Sequence, residues 1–155
     1  MNASYFPTRQ AIYTTKPELI PGGDLPNLQT DTGDGQREDL LLAKLGSSGW
    51  GRVHHFRNYY SQGWGDRGQG RPLSPRSLEA FYRFLELMPQ PRRTAPKVFL
   101  TDSGHLEVCW TGEAGAEVQV EFTPTHTEFY IAATETEDSL PHHAMADLLH
   151  MLPPP

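Results

Sequence analysis

Between Leu73 and Tyr130 the hydrophobic pattern changes period once, from helical to strand-like. Leu78, Phe81, Tyr82, Leu85 and Met88 recur at i, i+3, i+4, i+7 and beyond, the apolar stripe of a helix that faces a core. Arg76, Glu79, Arg83 and Glu86 take the opposite side, with Glu79 and Arg83 at the favourable i, i+4 spacing. Ser74 before Pro75 supplies a capping hydroxyl and a proline at the first helical position. Pro89, Pro91 and Pro96 stop the helix and lead the chain outward. The pattern predicts a helix over 74–87.

Period two follows. Leu106, Val108 and Trp110 point one way, with Glu107 and Cys109 the other. Val118, Val120 and Phe122 alternate with Glu117, Gln119 and Glu121, and Phe129 and Ile131 with Glu128 and Tyr130. One apolar and one polar face is the mark of an antiparallel sheet covered on one side. Strands are predicted over 97–101, 105–110, 117–122 and 128–133. Asp102-Ser103-Gly104 forms the first hairpin turn, Thr111–Ala116 a looser second and Thr123–Thr127 a third. A final helix is expected over 144–152, ended by Pro153-Pro154-Pro155.

The first third is less regular. Residues 1–36 carry Pro7, Pro17, Pro21-Gly22-Gly23, Pro26 and Gly33-Asp34-Gly35 without a sustained period, and read as an extended or partly disordered arm. Tyr5, Phe6, Ile12 and Tyr13 are too apolar for a pure linker, so part of the arm is expected to dock. Residues 37–45 read as a short helix stopped by Gly46. Residues 52–60 fit a short strand or coil, and the glycine-rich stretch 63–71 is irregular. The expected fold is α+β: a four-stranded antiparallel meander packed on one face by a helix, with a short C-terminal helix. Residues 37–155 would form a single domain.

Length and composition bound the class. A chain of 155 residues makes one domain. Its apolar share of 37% is low, and fourteen Gly with fourteen Pro imply much loop. No run approaches the roughly 18 apolar residues of a membrane span. The start, Met1 to Pro7, has neither a basic nor an apolar region of a secretion signal. Cys109 is the single cysteine, which excludes an internal disulfide and a thiolate zinc cluster. A cytoplasmic protein without a cofactor is expected.

Charge divides the chain unequally. The formal net charge is −6, yet residues 37–97 carry eleven basic and five acidic groups. After Lys97 there is no Lys or Arg, against ten acids from Asp102 to Asp147. Such asymmetry points to a charged partner or to two halves that neutralise each other.

The elements Gly63-Trp64-Gly65-Asp66, Gly70-Arg71-Pro72-Leu73-Ser74, Phe84-Leu85-Glu86-Leu87-Met88-Pro89 and Gly104-His105-Leu106-Glu107-Val108-Cys109-Trp110 form a sequence of motifs. Together they resemble a group of small bacterial and phage proteins. That group has a Trp-Asp-Gly-x-Gly-Ala-x-Pro-x-Ser element, a short helix and a meander. The resemblance spans about residues 63–152 and departs at Trp64, which is followed by Gly65 before Asp66. It implies no catalytic set. What it implies is a setting among accessory genes of phages and mobile elements, where antitoxins, immunity proteins and inhibitors of host defence occur.

The candidate chemistry is sparse. His54-His55, His142-His143 and His150 lack the spacings of zinc sites, although His143 and His150 would share a side of the last helix. Cys109 shares its face with Glu107, a neighbour that raises a thiol's pKa. Asp102, Ser103 and His105 lie too close in sequence for triad geometry. No metal site and no catalytic residues are assigned. Arg52, Arg57, Arg67, Arg71, Arg76, Arg83, Arg92 and Arg93, with Tyr59, Tyr60 and Trp64 interleaved, suit nucleic-acid contacts. Arg67, Arg71, Arg76 and Trp64 would carry that reading, unless Trp64 only anchors its loop. The leading expectation places Glu107, Glu117, Glu121 and Glu128 on one exposed sheet face, with Glu113, Glu135, Glu137 and Asp138 at its rims. That face, with Tyr130, suits a basic protein partner such as a toxin or host-defence subunit. An ordinary solvated sheet face would look the same in sequence.

Overall fold

A computed structural model describes residues 31–155. Most of the expected arm, with Tyr5, Phe6, Ile12 and Tyr13, therefore lies outside the described residues. Residues 31–36, read from sequence as its end, are helical. The element order is α1 (Asp31–Tyr59), α2 (Pro75–Leu87), β1 (Lys97–Leu100), β2 (Leu106–Thr111), β3 (Glu117–Phe122), β4 (His126–Ile131), β5 (Thr136–Pro141) and α3 (Met145–Met151). The strands form one antiparallel meander in chain order. The fold is α+β, as the change of period requires.

Helix α2 is the inner lid of the sheet. Ser74 caps it by accepting from the Ser77 amide at 3.4 Å, and Pro75 occupies its first turn. Phe81, Phe84 and Leu85 are fully buried, and Phe122 meets Phe81 at 5.7 Å and Phe84 at 5.1 Å between ring centroids. Phe84 also approaches Trp110 at 6.2 Å. The buried arc is wider than the stripe read from sequence, because Ser77, Ala80 and Phe84 join it. Ser77 has a specific task there: its Oγ accepts the Leu106 amide at 2.8 Å, satisfying the first residue of β2.

The inward residues are those the alternation selects. Leu106, Val108, Val120 and Phe122 are fully buried, and Val118, Phe129 and Ile131 nearly so. Trp110 is 7% exposed, and its indole donates to the Pro153 carbonyl at 2.9 Å. Helix α3 adds Met145 and Leu148 to the core. It begins one residue later than expected, after a 3-10 turn (His142–Ala144). His143 therefore precedes the helix that was expected to hold it together with His150.

Three sequence expectations need correction. A fifth strand exists: β5, residues Thr136–Pro141, pairs with all of β4. Its half-buried Thr136 and Leu140 give too little alternation to announce it, and the ladder with β4 supplies what its side chains do not. Next, β4 starts at His126 and ends at Ile131, after which the 3-10 turn Ala132–Thr134 and left-handed Glu135 (φ 48°) reverse the chain. Residues 52–59, finally, are helical.

That last difference has a packing cause. Gly46 (φ 70°) ends the first arm of α1, as its sequence position suggested, and a second arm follows at once. Glu38 accepts from the Trp50 indole and lies 2.6 Å from His54 Nε2. In a straight helix these partners would stand about 18 and 24 Å apart at 1.5 Å per residue, so the arms fold back on each other. Gly49 is required at the corner, since a Cβ there would lie 2.4 Å from Leu45 Cβ. Val53 and Phe56 are buried at helical spacing beyond it. Tertiary burial overrides the poor intrinsic propensity of a glycine-rich stretch. Glu79 is likewise claimed from outside its helix: Arg37 of α1 pairs with it at 2.7 Å, and Arg83 pairs with Glu86 instead.

Two substitutions test this core by chemical denaturation. Trp110→Ala is expected to cost about 3–5 kcal/mol through lost burial and a residual cavity. Ser77→Ala should cost about 1–3 kcal/mol by leaving the buried Leu106 amide without an acceptor. An unmoved midpoint in either variant contradicts this account of the α2–sheet contact.

Candidate functional site: the outer sheet face and the glycine loop

Strand register converts scattered glutamates into a row. Glu107 stands opposite Glu121, and Glu121 opposite Glu128, on three neighbouring strands. Phe99 and Ser139 end the row. The adjacent row runs Lys97, Cys109, Gln119, Tyr130 and Glu137. Glu117 lies across from Thr111 on the same face. Glu117 and Glu128 are exposed, Glu107 and Glu121 half-buried, and Tyr130 is 39% exposed. Glu113 sits in the turn after β2, while Asp138 lies across from inward-facing Phe129 on the edge strand. The cations of this face stand at its β1 end: Lys97, and Arg52 of α1, whose guanidinium lies 5.0 Å over the Phe99 ring and bonds the Val98 carbonyl at 3.0 Å.

Like charges directly opposite in a sheet oppose its formation, so the partners of these carboxylates matter. His105 Nδ1 lies 2.8 Å from Glu121 Oε1, which also accepts from Thr101 Oγ1 at 3.5 Å. His126 Nε2 lies 2.8 Å from Glu128 Oε1. Among the described residues Glu107 accepts from the Cys109 thiol alone, at 3.4 Å. Burial, then Glu107 and Glu117, pushes that thiol up to about 12. These two His–Glu pairs were not read from sequence, although alternation put His105 and Glu107 on one face. The register that brings His105 diagonally to Glu121 is a property of the assembled hairpin.

Other histidines serve the interior. His54 holds Glu38, and Glu38 stays below the usual carboxylate range: burial would raise it, but the His54 and Trp50 bonds and the His54 and Arg57 charges outweigh that. His55 is buried against Tyr59 and Tyr60, at centroid distances of 5.0 and 5.2 Å, and burial lowers its pKa. Among the described residues no three His, Cys, Asp or Glu side chains converge as a metal site would need. No helix among them is long and apolar enough to cross a membrane.

The glycine loop is a compact hook. Gly63 donates to the Gly70 carbonyl at 2.8 Å and Gly70 to Trp64 at 2.7 Å, closing residues 64–70 around a Gly65–Gly68 turn. Trp64 donates to the Arg71 carbonyl and meets Tyr60 edge-on at 4.8 Å. These are an anchor's contacts. Arg71 in turn donates its amide to the Asp102 carbonyl at 2.9 Å, and Ser74 to Gly104 at 2.8 Å, docking the hook on the β1–β2 turn. A Cβ on Gly104 would lie 2.2 Å from the Pro72 carbonyl oxygen, so glycine is fixed there by close approach as well as by its φ of 80°. Arg67, Arg71 and Arg76 are exposed and pair with no acid among the described residues. Arg52 and Arg83, by contrast, are engaged within the fold.

Comparison with protein-family models, with curated proteins and with solved structures finds no match. The geometry of the two surfaces carries the functional argument alone.

Two measurements probe the electrostatics. With its thiol pushed to about 12 from an ordinary 9.0, Cys109 should hold roughly a thousandfold less thiolate at pH 8, and be alkylated correspondingly slowly. Rapid alkylation of the folded protein would contradict the burial of Cys109 beside Glu107 and Glu117. His55 binds a proton less readily folded than unfolded. Its contribution to stability is therefore full above the ordinary histidine pKa of about 6.5 and is lost as pH falls below it toward the depressed folded value. His55→Phe should flatten that part of the acid slope in denaturation curves taken between pH 8 and 5.

Proposed function

We propose that the protein acts by stoichiometric protein binding through the acidic outer face of its sheet and performs no catalysis. In this reading it is a cytoplasmic accessory factor of a phage or mobile element, of antitoxin, immunity or anti-defence type. Its partner is a basic protein, such as a toxin or a host-defence subunit whose cationic groove the sheet face occupies. The observation that carries the reading is the abreast arrangement of Glu107, Glu121 and Glu128. Each directly opposed like pair costs a few tenths of a kcal/mol up to about 1 kcal/mol. His105 and His126 meet Glu121 and Glu128 within the fold, yet the repulsion between opposed carboxylates remains, and a cationic partner would reverse its sign. Glu117 and Glu137 extend the same field, and Tyr130 supplies an exposed ring within it. Complementary charge of this kind sets association rate and partner choice, with aromatic contact supplying affinity.

A second reading, nucleic-acid binding, is favoured by the exposed Arg67, Arg71 and Arg76, which pair with no acid among the described residues, and by Trp64 in the same loop as Arg67. The ten acids after Lys97 oppose a long polyanion, which places this reading second.

The test captures the partner from the native host, identifies it by mass spectrometry and titrates it against variants. Reversing Glu107, Glu121 and Glu128 together to Lys should weaken binding at least tenfold, mainly by slowing association, and remove much of the salt dependence. The triple Gln variant, which keeps side-chain size, should move affinity the same way by less. Nucleic-acid binding predicts the opposite sign: the Lys variant gains affinity for oligonucleotides, and reversing Arg67, Arg71 and Arg76 abolishes it. Tight wild-type binding to oligonucleotide, with partner affinity untouched by the Glu reversals, overturns the acidic-face reading.

A further inference from the structure

The two edges of the sheet differ. At β1 the second arm of α1 meets the edge, where Arg52 donates to the Val98 carbonyl at 3.0 Å. At the other end of the strand order, β5 pairs with β4 alone. Glu137, Asp138 and Ser139 are exposed, and among the described residues no backbone bond reaches the outer side of β5. The register tells which of its groups are turned outward. In an antiparallel ladder the N–H and C=O of one residue turn to the same side, and successive residues alternate. Thr123 donates to the His126 carbonyl, so His126 faces β3 rather than its β5 partner Pro141. Counting along the register from there, Thr136, Asp138 and Leu140 turn toward β4, while Glu137 and Ser139 turn outward. The Ser139 amide is held by Asp138 Oδ1 at 2.7 Å.

An open edge is a template for one more strand, and the charges of β5 decide which. The side chains of Glu137 and Ser139 lie on the outer face, across from Tyr130 and Glu128. A strand added to β5 therefore continues the acidic face. Ser139 is small, so a long cationic side chain beside it can reach over toward Glu128. Asp138 adds a carboxylate on the opposite face of the strand, and no Lys or Arg follows Lys97 in the chain. Two copies joined edge to edge would bring Glu137 and Asp138 of each into one short ladder, where opposed like charges weaken pairing. A strand that carries Lys or Arg at alternate positions meets the reverse: each cation on its outer face stands beside an acid.

We infer that β5 takes an extended basic segment of the protein partner as a sixth, antiparallel strand. The inference rests on the acidic-face reading for the charge of that partner, and on the open β5 edge for the mode of pairing. Backbone bonds at Glu137 and Ser139 supply affinity that any extended chain can use, and the alternate cations supply partner choice. Asp138 holds the Ser139 amide until the strand arrives, and that bond is then exchanged for one to a carbonyl of the partner.

The probe is a capped peptide, acetyl-Thr-Lys-Val-Arg-Val-Lys-Thr-amide, titrated into the full chain with backbone amides followed by two-dimensional NMR and hydrogen exchange. Saturable shifts centred on residues 136–141 are expected, with at least tenfold slower exchange of the Glu137 amide. The same peptide N-methylated at its basic residues keeps its charge and loses the donors that face β5, and should bind at least tenfold more weakly. Ser139→Pro removes an outward amide and leaves the β4 ladder whole. It should weaken the unmodified peptide by the same factor while amide dispersion is retained. Equal affinity of the two peptides, shifts confined to the row of Glu107, Glu121 and Glu128, or a dimer of this chain that protects the Glu137 amide without peptide would overturn the added strand. With the captured partner, Ser139→Pro should weaken binding at least tenfold. If that variant binds the partner normally while the Glu107, Glu121 and Glu128 reversal does not, the added strand falls and the acidic face stands. If the reversal binds the partner normally and Ser139→Pro does not, the acidic face falls and the β5 edge stands.

Discussion

A five-stranded sheet with helices on one side can bury one face only, and α2 carries most of that burial. Phe81 and Phe84 against Phe122, with Ser77 holding the Leu106 amide, fix both where the helix lies and which strand residues point toward it. Strand alternation then leaves no freedom on the other side. Once Leu106, Val108 and Val120 face α2, Glu107, Cys109, Glu121 and Glu128 must face outward. A slip of one residue would send the glutamates into the core, where unpaired carboxylates are prohibitive. The helix contact thus determines the outer surface without touching it.

The remaining elements close what α2 leaves open. The second arm of α1 reaches the β1 edge through Arg52, and the C-terminal prolines meet Trp110 at the far side of the core. The glycine hook links α2 to the first hairpin turn by two backbone bonds. The α1 fold-back and the hook depend on close approaches that a side chain would block, at Gly49, Gly70 and Gly104. The abundance of glycine is in these places a condition of packing rather than a sign of loose chain.

What the sequence made legible follows from how local each signal is. The α2 stripe, its Ser-Pro start and the three central strands are written in neighbouring residues and appear within a residue or two of their expected positions. The second arm of α1 was not legible, because Val53 and Phe56 are organised by a fold-back at Gly46 that only tertiary contact stabilises. β5 was missed because an edge strand needs no apolar face of its own. The acidic face was legible as a face, since alternation sufficed. Its abreast row, the two His–Glu pairs and the approach of Asp102 to the glycine hook depend on register and docking between segments far apart in sequence.

The meander's strand order equals its chain order, and this has a kinetic consequence. Every sheet contact can form between consecutive strands, so each hairpin closes a short loop and extends the one before it. Loop-closure entropy is then met in small instalments, and the low contact order favours rapid folding for a sheet of this size. The contacts that span the chain, Arg52 with Val98 and Trp110 with Pro153, join segments 46 and 43 residues apart. Their late closure would make them speed limits on completing the native state rather than on starting it.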